Sequence, residues 1–233
     1  MAIYAVQGLY AAGCFTMSRF LIGALNLPLF SNPGRVLTGE IKNFADTQAI
    51  NMGLKKEVVV IGGKDRYLAR GNTWFSGKVS ITVPVISSFL ENTEKVDEEL
   101  DRGTDPYCEF KITHYLAHIK ANDFLIIPGA VLAASLFTTF VLTVNCGLFT
   151  RYLGGLGVAL ITFGVSFRKA EKEADLTAMR YCSNEANKAY LDRLIERKEK
   201  KGWDRGLRSW IFCLVEPSID ERIEYLQAHI NAT

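Results

Sequence analysis

The chain has 233 residues, with 27 Lys and Arg against 25 Asp and Glu, a formal charge of +2. That balance excludes the strongly basic footprint of a nucleic-acid binder, and no basic patch interleaves with aromatic residues. Five cysteines, at positions 14, 108, 146, 182 and 213, are odd in number and form no C-x-x-C, which argues against a disulfide framework or a cysteine–zinc site and fits a reducing compartment.

Residues 1–30 are apolar, interrupted by Arg19, and end near Asn32-Pro33-Gly34. No basic segment precedes the apolar run and no cleavage site follows it, so a secretory signal is not expected; a membrane-associated segment and a core helix both remain open. Residues 31–56 are polar, with a helix expected around 41–52. The β-branched run 57–61, closed by Gly62-Gly63, predicts a strand and turn. A second strand is expected within 67–75. Residues 78–83 alternate apolar and polar with period two, a half-buried strand that Pro84 weakens as a central one. Together these predict a small antiparallel sheet. The acidic run 87–102 reads as a solvated helix face.

Asp105-Pro106 predicts a helix start, with the aspartate as cap and the proline at the first helical position. That helix carries Phe110, His114 and His118 to about Ala121. Two histidines four residues apart lie one turn apart on one face, so both imidazoles can reach one ion. The spacing is that of the zinc-protease motif H-E-x-x-H, with Tyr115 in place of the glutamate. Two imidazoles leave a zinc site incomplete, because a catalytic zinc takes three protein ligands. Glu171 and Asp175, also one helical turn apart, are the best candidates to complete it, with Glu171 as ligand and Asp175 orienting a histidine. A solvated helix face of mixed charge is the plainer alternative for that stretch.

Residues 124–150 contain no charged side chain, and neither do residues 152–167. A spanning helix needs about 20 apolar residues, so the first run is long enough and the second is marginal or re-entrant. Residues 145–151 would form the tip of a transmembrane hairpin. Lys111 and Lys120 precede it, and Arg168, Lys169 and Lys172 follow it; this bias places the histidine end in the cytoplasm. Beyond the hairpin, residues 171–201 read as one long charged helix stopped by Gly202. Residues 207–214, with Trp210 and Phe212, are expected on the core or at a membrane interface. His229, near the C-terminus, is expected to be exposed and not a ligand.

The order of these motifs resembles that of membrane zinc metallopeptidases of the HtpX and CaaX prenyl protease type. In that family H-E-x-x-H is followed by an apolar hairpin and then E-x-x-A-D, which here is Glu171-x-x-Ala174-Asp175. The stretch from Asn72 to Thr82 is similar to the family's Asn-Ala-Phe segment and the Gly-led strand after it. Glu216-Pro-Ser-Ile-Asp-Glu-Arg-Ile223 is similar to the closing H-P-x-x-x-x-R-I, with Glu216 replacing the histidine. The resemblance spans roughly residues 55–226.

It implies an α+β fold, mainly helical and zincin-like, with a small antiparallel sheet and a transmembrane helical hairpin. Residues 31–123 and 168–233 would form the two parts of the metallopeptidase-like domain, with the hairpin over 124–167. The implied cofactor is Zn²⁺, held by His114, His118 and Glu171 with Asp175 behind them. Asn72, Gly77, Lys78 and Val79 are the positions through which the sheet would take an extended peptide as an added strand; a purely structural hairpin is the simpler reading. Partners would be polypeptide or membrane-protein segments, membrane lipids and, in a homo- or hetero-oligomer, further subunits. Nucleic acid is not among them.

Tyr115 breaks the family chemistry. A phenol, with a pKa of about 10 in water, keeps its proton at neutral pH and cannot take one from water as a glutamate does. Loss of a general acid–base group removes about 10²- to 10⁴-fold of rate. The expectation is a multi-pass pseudoprotease that binds polypeptides. The alternatives are an active zinc endopeptidase of protein quality control and a metal-free membrane structural protein.

Overall fold

A computed structural model describes residues 36–55, 57–63, 68–70, 78–84, 105–142, 147–200 and 216–232. Residues 1–30, the positions Asn72 and Gly77, the acidic run 87–102 and residues 207–214 lie outside the described residues. The chain divides into two compact units, residues 1–27, 123–171 and 205–217 in the first and residues 28–122, 172–204 and 218–233 in the second. Both are mainly helical among the described residues.

In the second unit, helix α1 (Glu40–Asn51) begins after Gly39, whose φ of 80° is reached at little cost only without a Cβ. Strands β1 (Glu57–Gly63), β2 (Leu68–Arg70) and β3 (Lys78–Pro84) form one sheet in the order β1-β3-β2. β2 and β3 pair antiparallel, as expected for neighbours along the chain. β1 pairs parallel with β3, so the sheet is mixed rather than antiparallel. Period-two alternation fixes which face of a strand is buried, here with Val58, Val60 and Ile81 inside, but not which edge a neighbour takes. β3 is therefore the inner strand. Pro84 is tolerated because it is the last residue of β3, opposite Gly63, beyond the Ser80–Thr82 segment that β2 pairs.

Helix α2 (Pro106–Ala121) starts as the sequence predicts. The Asp105 side chain accepts from Tyr107 N at 3.2 Å, and proline occupies the first turn. It ends at Asn122, whose left-handed φ of 59° suits asparagine better than most non-glycine residues. One side of α2 packs on the sheet and α1, and another packs on helix α5 (Asn184–Lys200). The core at the second contact is Phe110, Ala178, Met179, Ala186, Tyr190, Leu194 and Leu226. Leu226 comes from helix α6 (Ile219–Ala232), which Ser218 caps by accepting from Glu221 N at 3.1 Å.

The first unit contains helix α3 (Asp123–Leu142) and the apolar part of helix α4 (Leu148–Tyr181). Ile127 and Val131 of α3 share a buried cluster with Ala159, Phe163, Phe167 and Ala170 of α4. On their other sides Ile126, Phe137, Leu153, Leu160, Ile161 and Val165 are exposed. The helix Leu153–Tyr181, 29 residues, contains an 18-residue window with a mean hydropathy of 1.2 and is by length and composition able to cross a membrane. The apolar part of this helix ends at Phe167, and the helix continues beyond it as the charged stretch that carries Glu171 and Asp175.

The stretch after the second apolar run is not one helix to Lys201. α4 stops at Tyr181, and α5 starts anew at Asn184. Ser183 makes the break: its Oγ accepts from Ala186 N at 3.1 Å and its carbonyl accepts from Asn187 N at 3.0 Å. Glu171 and Asp175 thus sit on the helix that carries the apolar segment.

Candidate metal centre

His114 and His118 lie in the middle of α2, where the Asp105 cap sets the start of the helix and the buried Phe110, Ile112 and Leu116 set its rotation. Both imidazoles are buried. Their Nε2 atoms are 3.2 Å apart, and the rings meet nearly at right angles, 84°. Two nitrogens bound to one tetrahedral zinc at 2.0–2.1 Å would be separated by about 3.3 Å. Glu171, half-buried, brings a carboxylate oxygen so that the three donor atoms lie within 4.8 Å of one another. Glu171 is the last residue counted with the first unit, on a helix that runs unbroken into the second. The donor set of two imidazoles and a carboxylate matches that of catalytic zinc sites, and its residues could hold a metal ion.

Asp175, one turn beyond Glu171, faces His114 from behind. Its Oδ1 lies 2.9 Å from His114 Nδ1, so Nδ1 carries the proton and the Nε2 lone pair faces His118. The carboxylate is fully buried and fully used. Arg222 donates from Nε to Oδ2 and from Nη2 to Oδ1, both at 2.9 Å, and Tyr225 Oη donates to Oδ2 at 2.5 Å. Tyr190 Oη adds a longer contact of 3.4 Å to Oδ1. Asp175 lies two turns past Phe167, where the charge-free stretch ends. Burial works to raise its pKa, but the Arg222 charge and the bonds from His114 and Tyr225 outweigh burial and hold the carboxyl well below the usual carboxylate range.

That network decides what Asp175 can do. With both oxygens committed, it orients an imidazole and has no place for a proton from substrate or water. Glu173 is exposed on α4, two residues past Glu171 and so about 200° around the helix from it. Tyr115 is half-buried beside them, its ring edge-on to His114 at 5.3 Å and 6.5 Å from the His118 ring. Lys111 Nζ lies 5.4 Å from the centres of both the Tyr115 and Tyr190 rings. Among the described residues, no carboxylate occupies the position next to His114 that H-E-x-x-H would fill.

The structure therefore brings together His114, His118, Glu171 and Asp175, with Tyr115 adjacent. Lys78 and Val79 lie on the inner strand β3, paired to Glu57 and Val58 of β1. Main-chain pairing on both sides of Ser80–Thr82 leaves an added strand only the outer edges of the sheet. His229 is half-buried rather than exposed. Arg222 is the arginine of the closing R-I segment in the resemblance, but its partnership with Asp175, like that of Tyr190 and Tyr225, has no motif in the sequence. The available signal was the Ile219, Arg222, Ile223, Leu226 spacing, which puts a guanidinium on an otherwise apolar helix face and so demands a buried anion.

No protein-family model and no curated protein sequence matches the chain.

Proposed function

We propose that the protein is a membrane-attached relative of the zinc metallopeptidases it resembles, with the metal site kept and the general base lost. The observation that carries this reading is the convergence of His114, His118 and Glu171 within 4.8 Å, with a tyrosine where the base belongs. His114 and His118 would hold the ion through Nε2 and Glu171 through a carboxylate oxygen. Bound there, Zn²⁺ supplies a Lewis acid that polarises a carbonyl. Asp175 and Arg222 fix the tautomer and angle of His114, and burial of both imidazoles keeps bulk water from competing for their lone pairs.

Without a carboxylate at position 115, proton transfer to a leaving amine has no carrier in the site. The chain then works by binding: polypeptide or membrane-protein segments are engaged and not cut. The apolar part of α4, ending at Phe167, would hold the chain in the bilayer alongside α3, which has no charged residue after Asp123. Arg168, Lys169 and Lys172 follow the apolar stretch and favour a cytoplasmic position for the metal-site end.

The test compares turnover of an unstructured polypeptide by the full chain and by Tyr115→Glu, each with and without chelator. The expected result is no chelator-sensitive cleavage by the native chain and measurable cleavage by the variant. Robust chelator-sensitive cleavage by the native chain would overturn the proposal.

A second reading has its own support. A separation of 3.2 Å between two Nε2 atoms is also a hydrogen bond from one imidazole to the other, needing no ion. In that case the pair is a satisfied polar element of a metal-free structural protein. Metal content separates the two.

A further inference from the structure

Helix α6 is seated by the same carboxylate that orients His114. Among the residues of α6, Arg222 and Leu226 alone are buried. Leu226 shares the apolar core with Phe110 and Tyr190, and Ile219, Ile223 and Ile230 lie partly buried against it. Arg222 is buried on Asp175 instead, donating from Nε to Oδ2 and from Nη2 to Oδ1, both at 2.9 Å. Tyr225, three residues on and so on the same side of α6, donates to Oδ2 at 2.5 Å. The Lys198–Asp220 ion pair between α5 and α6 is exposed and adds little. Residues 201–218 separate α5 from α6, a longer connection than the about 2–8 residues usual between packed helices, so contacts rather than a tight turn set its seat. Half of the buried anchor of α6 is therefore polar, directional and concentrated on Asp175.

Asp175 serves the imidazole with the same two oxygens. Its Oδ1 lies 2.9 Å from His114 Nδ1 while also accepting from Arg222. A carboxylate is planar, so turning it to suit one partner misaligns it for the others. An ion on His114 Nε2 would fix the imidazole from its far side, narrow the angles open to Asp175 and so favour the seat of Arg222 and Tyr225. Undocking α6 has two opposed effects on that ion. It frees the Asp175 charge, which attracts a cation, and it frees the His114 ring, which weakens a ligand. Water replacing the guanidinium screens the freed charge, whereas nothing replaces the lost orientation, so the second effect wins. His114, Asp175, Arg222 and Tyr225 all belong to the second unit.

We infer that α6 is a latch on the metal site, its docking and the binding of the ion each strengthening the other about tenfold. The inference rests on the metal-site reading above and adds to it a means of regulation. Coupling of this kind is reciprocal, so whatever draws α6 from its seat loosens the ion, and loss of the ion loosens α6.

The experiment uses the full chain purified in detergent, with zinc alone as the probe. Backbone hydrogen exchange is read by mass spectrometry in saturating zinc and in chelator. When α6 opens by itself, its slowing by zinc equals the ratio of zinc affinities in the docked and undocked forms. Exchange over residues 219–232 should slow about tenfold more than exchange over residues 184–200 of α5. Tyr225→Phe, which removes one bond to Asp175, should at least halve that difference, and His118→Ala, which removes a ligand, should abolish it. Equal slowing of α5 and α6 would report protection against global unfolding and overturns the inference. So does an α6 that zinc does not slow in a chain that binds zinc, or an undiminished difference in Tyr225→Phe. Each of those results leaves the metal-site reading standing, whereas a chain that takes up no zinc overturns that reading as well.

Discussion

At the scale of residues, the centre is a relay of fixed orientations running from Arg222 through Asp175 to His114 and so toward Glu171 and His118. The links from Arg222 to Asp175 and from Asp175 to His114 are short, buried and charge-assisted, which makes that part of the relay stiff and its removal costly. Arg222→Met leaves the Asp175 carboxylate buried without its counter-ion, and a loss of about 3–5 kcal/mol is expected in denaturant unfolding. Tyr225→Phe removes one bond to the same carboxylate and should cost about 1.5–3 kcal/mol. Because Asp175 also sets the His114 tautomer, Tyr225→Phe should weaken metal binding in a chelator competition, and Asp175→Asn should weaken it about 10- to 100-fold. Unchanged affinity in Asp175→Asn would mean that His114 is not a ligand. Cys182 gives a separate check: burial, reinforced by Glu109 and partly offset by a Thr113 hydrogen bond, pushes its thiol up to about 11. It should therefore resist alkylation at neutral pH in the folded chain and react on unfolding, as read by peptide mapping.

At the scale of elements, local chemistry made one helix start fully legible. Asp105-Pro106 announces α2, and the spacing of His114 and His118 places both on one face before any tertiary contact is known. The break between α4 and α5 is equally local: Tyr181, Cys182, Ser183 and Asn184 are weak helix formers, and Ser183 as a cap competes with continuation between two stretches rich in Ala, Glu and Lys. Ser183→Ala should cost about 1 kcal/mol in thermal or chemical unfolding, because Ala186 N loses its acceptor. A neutral effect would mean that packing alone ends α4. The sheet shows the opposite limit: the alternation in β1 and β3 tells which side chains are inside, yet the parallel pairing of Val58 with Val79 depends on where the chain returns, and alternation carries no record of that. The role of Arg222, a residue of the closing R-I motif, is hidden for the same reason. Its partner lies 47 residues away, and only the fold brings the two together.

For the molecule as a whole, the two units have different sources of stability. The second is held by a mixed aromatic and aliphatic core with a buried ionic network at its edge. Among the described residues the first holds two helices whose inner faces meet through Val131, Phe163 and Phe167 and whose outer faces present apolar side chains. In water such an outer face is an association hazard; in lipid it is solvated. Replacing Ile161 by aspartate should shift the chain from the membrane fraction to aggregates or the soluble fraction, since a charge near the middle of the proposed spanning helix costs about 2.5–3.5 kcal/mol. An unaltered membrane fraction would place the lipid contact elsewhere. The functional account has a narrower foundation than the fold: it depends on three donor atoms that share one ion, two from α2 and one from α4.

Metal content of the full chain, purified in detergent without added chelator, measures that sharing most directly. The account predicts close to one equivalent of zinc in the native protein and its loss in both His118→Ala and Glu171→Gln, with unchanged helical content by circular dichroism. A native chain free of metal that stays metal-free when zinc is supplied, or a zinc equivalent that survives both substitutions, would contradict it.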